Sequence, residues 1–224
     1  MNQRLWLSLI LVSLLLACQT QSAEEEKQAP SSLPERPYQM PKALKEIGEF
    51  AEVTFADTNE LKQVLRFQLI DATGQVSNSH FEEVAQRYKK MMQSESSGPV
   101  PIIEINNSEK VMLLCNGRGF GGLLSAKLLV DRKIKQILKI EFGQQAESDD
   151  YAGELTKASF AARFVGKEIT ADGNTFGLLQ GGERKIRGQS EIDGISGATV
   201  TSQGVINMMN KGLEQYAAYL FGNE

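Results

Sequence analysis

The hydrophobic positions of this chain change their spacing along its length, and each spacing predicts a different kind of element. Leu44, Ile47 and Phe50 recur every three to four positions, which is typical of one face of an amphipathic helix. Ser79 and Glu82 have the spacing of a capping box and predict the start of a second helix. Amphipathic helices are predicted at residues 42–53, 79–92, 155–164 and 203–221.

Alternating or continuous short apolar runs predict strands between these helices. Asn106-Asn107-Ser108 separates one pair of runs and Asp131-Arg132-Lys133 another, and such polar tripeptides are typical of turns in strand hairpins. The mixture predicts a single α+β domain with an antiparallel or mixed sheet, packed helices and a helix at the C-terminal end. The runs occupy residues 66–70, 100–105, 110–115, 123–130 and 134–142.

The first residues of the chain have the pattern of an export signal. Arg4 precedes an apolar run from Leu5 to Leu16, which is too short for a membrane-spanning helix of about 20 residues. Ala17-Cys18 resembles the site at which lipoprotein signal peptides are cut, so Cys18 is predicted to become a lipidated N-terminus that anchors the protein to a membrane. An ordinary signal peptide with a chance cysteine is the alternative.

Residues 18–41 are predicted to form a disordered tether, since they are rich in Gln, Glu and Ser and contain four of the six prolines. The domains are therefore a signal peptide (1–17), the lipidated tether (18–41) and a folded domain (42–224). The predicted location is a bacterial membrane, with the protein facing the periplasm or the cell exterior. Gln19 after the cysteine resembles the sorting signal for the outer membrane.

Composition narrows the possible chemistry. His80 is the only histidine, and Cys115 would be the only cysteine left beside the lipidated one, so no His/Cys metal cluster is predicted. Cys115 ends an apolar run and is expected in the core. The net charge of −4 comes with no basic stripe, which argues against a nucleic-acid partner. No set of residues resembles an acid–base pair, so no catalytic residue is assigned.

Glycines and small hydroxyl residues are concentrated between Asp193 and Ser202, just before the C-terminal helix. Gly194 and Gly197 are expected to permit unusual backbone conformations, and Thr201 or Ser202 is expected to cap the helix. A helix N-terminus of this kind also favours a nearby anion such as a phosphate. An ordinary helix cap after a glycine turn is the alternative interpretation.

The order Asp-x-x-Ser-Gly-Ala-Thr at residues 193–199 resembles the flavinylation motif of the FMN-binding domain family. That family includes the flavinylated subunits of the sodium-translocating NADH:quinone reductase and of Rnf-type electron-transport complexes. The resemblance implies that a flavin transferase links FMN, through its phosphate, to the hydroxyl of Thr199; the hydroxyl of Thr201 stays open as a second candidate. It also implies that the phosphate is cradled by the remaining motif residues, namely Asp193, Ser196, Gly197 and Ala198.

A second glycine-rich stretch carries Gly117, Gly119 and Gly122. Because a strand rather than a helix is predicted after it, a dinucleotide-binding site is excluded. In the FMN-binding domain family a similar segment precedes a strand hairpin and lies close to the flavin; the alternative is that these glycines only shape the sheet. Glu147 matches the acidic residue of a family loop that contributes to the flavin pocket, although the proline of that loop is absent here. The resemblance covers residues 115–221.

The resemblance implies a membrane-anchored flavoprotein that relays electrons between redox partner proteins or within a membrane electron-transport complex. It is an electron-transfer component rather than an enzyme on its own. Two alternatives stay open. One is a lipoprotein that binds FMN without a covalent bond, or has lost it, and acts as a sensor or scaffold. The other is a periplasmic reductase component that passes electrons to a small acceptor.

Overall fold

A six-stranded antiparallel sheet forms the centre of the fold, in a computed structural model that describes residues 40–95, 97–145, 153–179 and 190–222. The strands lie in the order β2-β1-β3-β4-β5-β6, and each pairs antiparallel with its neighbours. This confirms the predicted α+β class and the two predicted hairpins. The strands are β1 (Leu65–Ile70), β2 (Val76–Asn78), β3 (Val100–Ile105), β4 (Lys110–Arg118), β5 (Leu123–Asp131) and β6 (Gln136–Gln145).

Helices cover both faces of this sheet. The Asn116 amide donates to the carbonyls of Met91 and Ser94 at the end of α3, whereas Cys115, one residue earlier on β4, packs against Gly212 of α5. Successive side chains of a strand point to opposite faces, so α3 and α5 lie on opposite sides of the sheet. The helices are α1 (Lys42–Ala51), α2 (Thr58–Val64), α3 (Phe81–Gln93), α4 (Ala158–Ala161), α5 (Thr199–Glu214) and α6 (Ala217–Phe221).

A second, smaller sheet lies between α4 and α5 in the sequence. It consists of two parallel strands, β7 (Phe176–Leu179) and β8 (Ser190–Asp193). The side chain of Asn210 on α5 both donates to the carbonyl oxygen of Phe176 and accepts from its amide, each at 2.9 Å. These two bonds attach β7 to α5, and β8 leads directly into the turn that precedes that helix.

The central strands are buried because both of their faces are covered. Met112, Leu113 and Cys115 on β4 are each 0 % exposed, which confirms the prediction that the cysteine belongs to the core. Removal from water raises the pKa of the Cys115 thiol from 9.0 to about 12, because burial disfavours the thiolate. None of the helices in the described ranges combines the length and apolar character needed to cross a bilayer.

Three predictions about helices were wrong in detail. Ser79 does not cap α3: its hydroxyl donates to Glu83 at 2.7 Å, and His80 is the N-cap residue. The predicted 155–164 helix is interrupted at residues 156–157 and continues only as the four-residue α4, although Phe160 and Phe164 are buried as expected. The predicted C-terminal helix begins four residues earlier than expected and is interrupted after Glu214.

The interruption has a physical cause in the buried Tyr216, between α5 and α6. Its hydroxyl donates to the carbonyl of Pro101 or Leu114, both at 3.0 Å, and accepts from the amide of Leu114 at 3.2 Å. A fully buried hydroxyl must find such partners, since leaving it unpaired costs about 1–3 kcal/mol. The chain therefore turns at Tyr216 to reach the backbone of β3 and β4.

Candidate functional site

Close packing between α5 and β4 determines where the two glycine-containing stretches meet. A Cβ on Gly212 would lie 2.4 Å from the sulfur of Cys115, and a Cβ on Gly117 would lie 3.1 Å from the Cβ of Met208. A Cβ on Gly204 would lie 3.1 Å from the carbonyl oxygen of Arg118. Along α5, the contacts at Gly212, Met208 and Gly204 are four residues apart. Their partners on β4 follow in the opposite order, from Cys115 through Gly117 to Arg118. The helix therefore runs antiparallel to the strand.

This alignment brings the connection between β4 and β5 to the N-terminal part of α5. The connection is a tight turn in which the Gly119 amide donates to the Gly122 carbonyl at 2.8 Å. Phe120 lies at its tip and is 77 % exposed. Gly117, by contrast, lies within β4 rather than in the connection. The glycine stretch therefore shapes the sheet and also reaches the helix that carries the motif.

The motif itself forms a turn between β8 and α5. The Ala198 amide donates to the Ile195 carbonyl at 3.0 Å, and Gly197 has a φ of 78°, the left-handed conformation that glycine adopts without strain. The prediction for Gly197 is confirmed. Gly194 has no such φ, so the prediction for it was wrong. It is needed for space, since a Cβ there would lie 3.1 Å from Cδ1 of Leu178 and 3.3 Å from the hydroxyl of Ser202.

Helix α5 begins at Thr199, with Ala198 as its N-cap residue and no side chain of the described residues capping it. The prediction that Thr201 or Ser202 caps the helix was wrong, because both lie inside the first turn, where they are 3 % and 1 % exposed. The Ser202 hydroxyl instead accepts from the amide of Ile195 at 2.8 Å. The inward-facing serine thus fixes the preceding turn rather than capping the helix.

Exposure separates the two candidate threonines. Thr199 is exposed on the first turn of α5, whereas Thr201 is buried. Val200 between them is 60 % exposed. Of the two candidate threonines, the geometry therefore presents only Thr199 to an incoming group, with an apolar side chain beside it.

Arg163 is a contact of this turn that the sequence did not indicate. Its Nη1 atom donates to the carbonyl oxygens of Asp193 and Gly194, at 2.5 and 2.8 Å. The guanidinium carbon lies 5.1 Å from the centroid of the Phe160 ring. No sequence signal could have identified this residue, because it is 30 positions away from Asp193 in a segment with only a helical pattern.

Most of the predicted site residues therefore lie together. Asp193, Ser196, Gly197, Ala198, Thr199 and Thr201 belong to one turn and the helix that follows it, and the turn formed by Gly119 and Gly122 packs beside that helix. Glu147 and Cys18 lie outside the described residues. A cleft of about 720 Å³ near Lys62 and His80, on the β1 side of the sheet, contains none of the motif residues.

Comparison with known proteins finds similarity over part of this chain. Residues 119–214 match the model of the FMN-binding domain. The NqrC subunit of the Na(+)-translocating NADH-quinone reductase of Vibrio vulnificus strain YJ016 is 28 % identical over 119 residues, which are 52 % of this chain and 46 % of that protein. The same subunit of Pasteurella multocida strain Pm70 is 30 % identical over 98 residues, covering 44 % of this chain and 38 % of that protein. The matches thus span less than half of each relative's length.

Two solved structures share the fold. The crystal structure of Shewanella oneidensis NqrC matches with a TM-score of 0.59 at 18 % identity, covering 82 % of this chain and 100 % of that chain. The corresponding subunit of the Na(+)-translocating NADH-quinone reductase from Parabacteroides distasonis matches with a TM-score of 0.61 at 22 % identity, covering 81 % and 94 %. These structures agree in fold with the match of residues 119–214 to the FMN-binding domain model.

Proposed function

We propose that this protein carries FMN covalently on Thr199 and relays electrons between redox partners at a membrane. The observation that carries the proposal is the position of the Thr199 side chain. It is exposed on the first turn of a 16-residue helix that no described side chain caps, within the residues that match the FMN-binding domain model. The curated relatives named above are subunits of an NADH-quinone reductase, which supports an electron-transfer role.

The site fits a phosphate ester on Thr199. The N-terminus of a helix carries about half a positive charge, and its first amides point towards any group bound there, so a phosphate on the first residue is stabilised. The left-handed Gly197 and the small Ala198 keep bulky side chains away from this point. Thr201 is a poorer candidate, since a phosphate on a buried hydroxyl would have to displace the packing around it.

The proposed modification is a group transfer. The Thr199 hydroxyl oxygen forms a bond to the phosphorus of the FMN moiety in a flavin dinucleotide, and the bond from that phosphorus to the bridging oxygen breaks. The products are the threonine phosphoester of FMN and a nucleoside monophosphate, and the hydroxyl proton passes to the surrounding solvent or to a base. A flavin transferase is the partner required for this step.

The neighbouring residues would bind and orient the attached flavin. Phe120 and Val200 are both largely exposed apolar side chains at this end of the domain, and they could cover part of the flavin ring. Asp193 and Ser196 are exposed on the same turn as the proposed attachment residue. The ring supplies the redox chemistry, while the chain's residues hold it and control its access to water. Glu147 stays a proposed contact of the flavin.

The proposed partners are other redox proteins or a membrane electron-transport complex. In this proposal Cys18 is lipidated after removal of residues 1–17, residues 18–41 form a tether, and the domain that begins at residue 42 faces the periplasm or the cell exterior, with the outer membrane favoured. Covalent attachment suits that location, because FMN lost outside the cytoplasm is not replaced from a local supply.

The test is co-expression of residues 42–224 with a flavin transferase, followed by intact mass and visible absorption. Unmutated protein should gain the mass of one FMN less one water and should be yellow. Thr199→Ala should lose both, while Thr201→Val, which removes a hydroxyl but keeps the side-chain shape, should retain both. Yellow protein with no added mass would favour non-covalent FMN binding, and colourless protein of unchanged mass would favour the flavin-free scaffold.

A further inference from the structure

Arg163 connects the motif turn to a cluster of buried aromatic side chains in the core. It follows α4, and its backbone amide donates to the Phe160 carbonyl at 3.1 Å. Phe160 and Phe164 on either side of it belong to a cluster of four phenylalanines whose ring centroids lie 5.0–5.5 Å apart. Aromatic packing of this kind fixes the position of the intervening backbone. The origin of the arginine side chain is thus set by the core.

The guanidinium extends from this fixed origin to the end of β8. Its aromatic neighbour is Phe160, and its Nη1 atom donates to two consecutive carbonyl oxygens, those of Asp193 and Gly194. Hydrogen bonds from a charged donor are about twice as strong as neutral ones. Neither carbonyl belongs to a long sheet, because β8 pairs only with the four-residue β7 among the described strands. A two-stranded sheet of this length is marginally stable by itself.

The turn that follows is held at two further points. The Ser202 hydroxyl accepts from Ile195, and the Ala198 amide donates to Ile195. Together with Arg163, these bonds hold the backbone from Asp193 to Ala198, and Thr199 is the next residue. Ile195 and Ala198 of this turn are buried, so the turn stays packed on the core without the arginine. It would nevertheless lose both charged hydrogen bonds at its first two residues, and the exposed Thr199 could then adopt several positions relative to the Phe120 turn.

We propose that Arg163 is a positioning residue for flavin attachment, which holds the turn in the conformation that the flavin transferase recognises. This inference rests on the proposed attachment at Thr199. When an enzyme binds only one conformation of a protein substrate, the apparent dissociation constant is the intrinsic one divided by the fraction of molecules in that conformation. Loss of Arg163 therefore raises the KM of the transferase for this protein and leaves its kcat nearly unchanged.

The experiment measures the initial rate of FMN transfer from a flavin dinucleotide against the concentration of unmodified residues 42–224. Arg163→Met keeps an unbranched side chain over Phe160 and removes the donors; we expect KM to rise about tenfold. Arg163→Lys, which keeps the charge and a donor, should recover part of this loss. Arg66→Met is the matched control, because Arg66 is exposed on β1 and pairs with Glu104 at 3.4 Å, away from the motif turn. It should leave KM unchanged.

Thermal unfolding of each unmodified protein separates positioning from general stability. If KM for Arg163→Met equals that of the unmutated protein, the inference is wrong. It is also wrong if the difference disappears when each variant is assayed at the same interval below its own unfolding midpoint. If the unmutated protein accepts no FMN at all, the proposed attachment fails rather than the role of Arg163. A raised KM at matched intervals supports the inference.

Discussion

The closest contact between α5 and β4 provides a direct test of how the site is assembled. Replacing Gly212 by alanine would add a Cβ 2.4 Å from the sulfur of Cys115 and 2.7 Å from its Cβ. Real Cβ atoms do not tolerate such distances, so either the helix or the strand must move. Since Gly204 and Gly117 lie on the same contact, a shift of α5 would also move the Phe120 turn relative to Thr199.

The size of the effect follows from two opposing contributions. Overpacking a buried site costs about 1–3 kcal/mol, and the upper end applies here because two atoms are in the way. Alanine is favoured over glycine inside a helix by about 1 kcal/mol, which offsets part of that cost. We expect Gly212→Ala to lower the free energy of unfolding by about 2 kcal/mol. With a urea dependence of about 2 kcal/mol per M, the unfolding midpoint falls by about 1 M.

Urea unfolding followed by circular dichroism measures this change, with Gly153→Ala as the control. A Cβ at Gly153 would meet nothing within 4 Å, so that variant should stay within about 0.5 kcal/mol of the unmutated protein. In a Cys115→Ala background the sulfur is absent, and Gly212→Ala should cost about half as much. An undiminished stability of Gly212→Ala, or an equal cost in both backgrounds, would refute the close packing of α5 on β4.

Two further predictions concern the motif turn and the buried thiol. Gly197→Ala should lower the free energy of unfolding by about 1 kcal/mol in the same urea assay, because alanine is strained at a φ of 78°; an unchanged midpoint would contradict this conformation. For the thiol, burial raises the pKa of Cys115 to about 12, so the folded state keeps a proton that the unfolded state loses above pH 9. The free energy of unfolding should therefore fall between pH 9 and pH 12, by at most about 1.4 kcal/mol per pH unit from this group, and the elevated pKa of Tyr216 acts in the same direction. Cys115→Ala should flatten this dependence, and an equally steep profile in that variant would contradict the assignment to the thiol.

The sequence predicted the elements whose buried side chains have a clear period. Leu44, Ile47 and Phe50 on α1 are buried as their spacing indicated, and the hairpins of β3–β4 and β5–β6 form as expected. Helix α2 was not predicted, because Leu61 is its one buried side chain and no apolar stripe exists. It is held instead by Asp57, whose side chain accepts from two amides of its first turn. The three-residue β2 was missed because it is mostly exposed.

The candidate site was predicted in composition but not in geometry. The motif indicated a glycine turn before a helix, and the structure has one. The sequence did not indicate which face of the helix points to the core. Polarity suggests that Val200 is buried and that the hydroxyl residues Thr201 and Ser202 are exposed, and the structure shows the opposite. This orientation of the helix is the reason why Thr199 is exposed and Thr201 is buried. The role of Arg163 could not be predicted for another reason, because its hydrogen bonds join segments that are 30 positions apart in the sequence.

Covalent attachment at Thr199 is tested directly by locating FMN in the unmutated protein. After co-expression with a flavin transferase and cleavage at Arg187 and Lys211, residues 188–211 form one peptide that contains both candidate threonines, Thr199 and Thr201. Fragmentation of this peptide in a mass spectrometer assigns the added mass to a single residue. We predict the mass of one FMN, less one water, on Thr199. The same mass on Thr201, or a peptide without it, would contradict covalent attachment of FMN at Thr199.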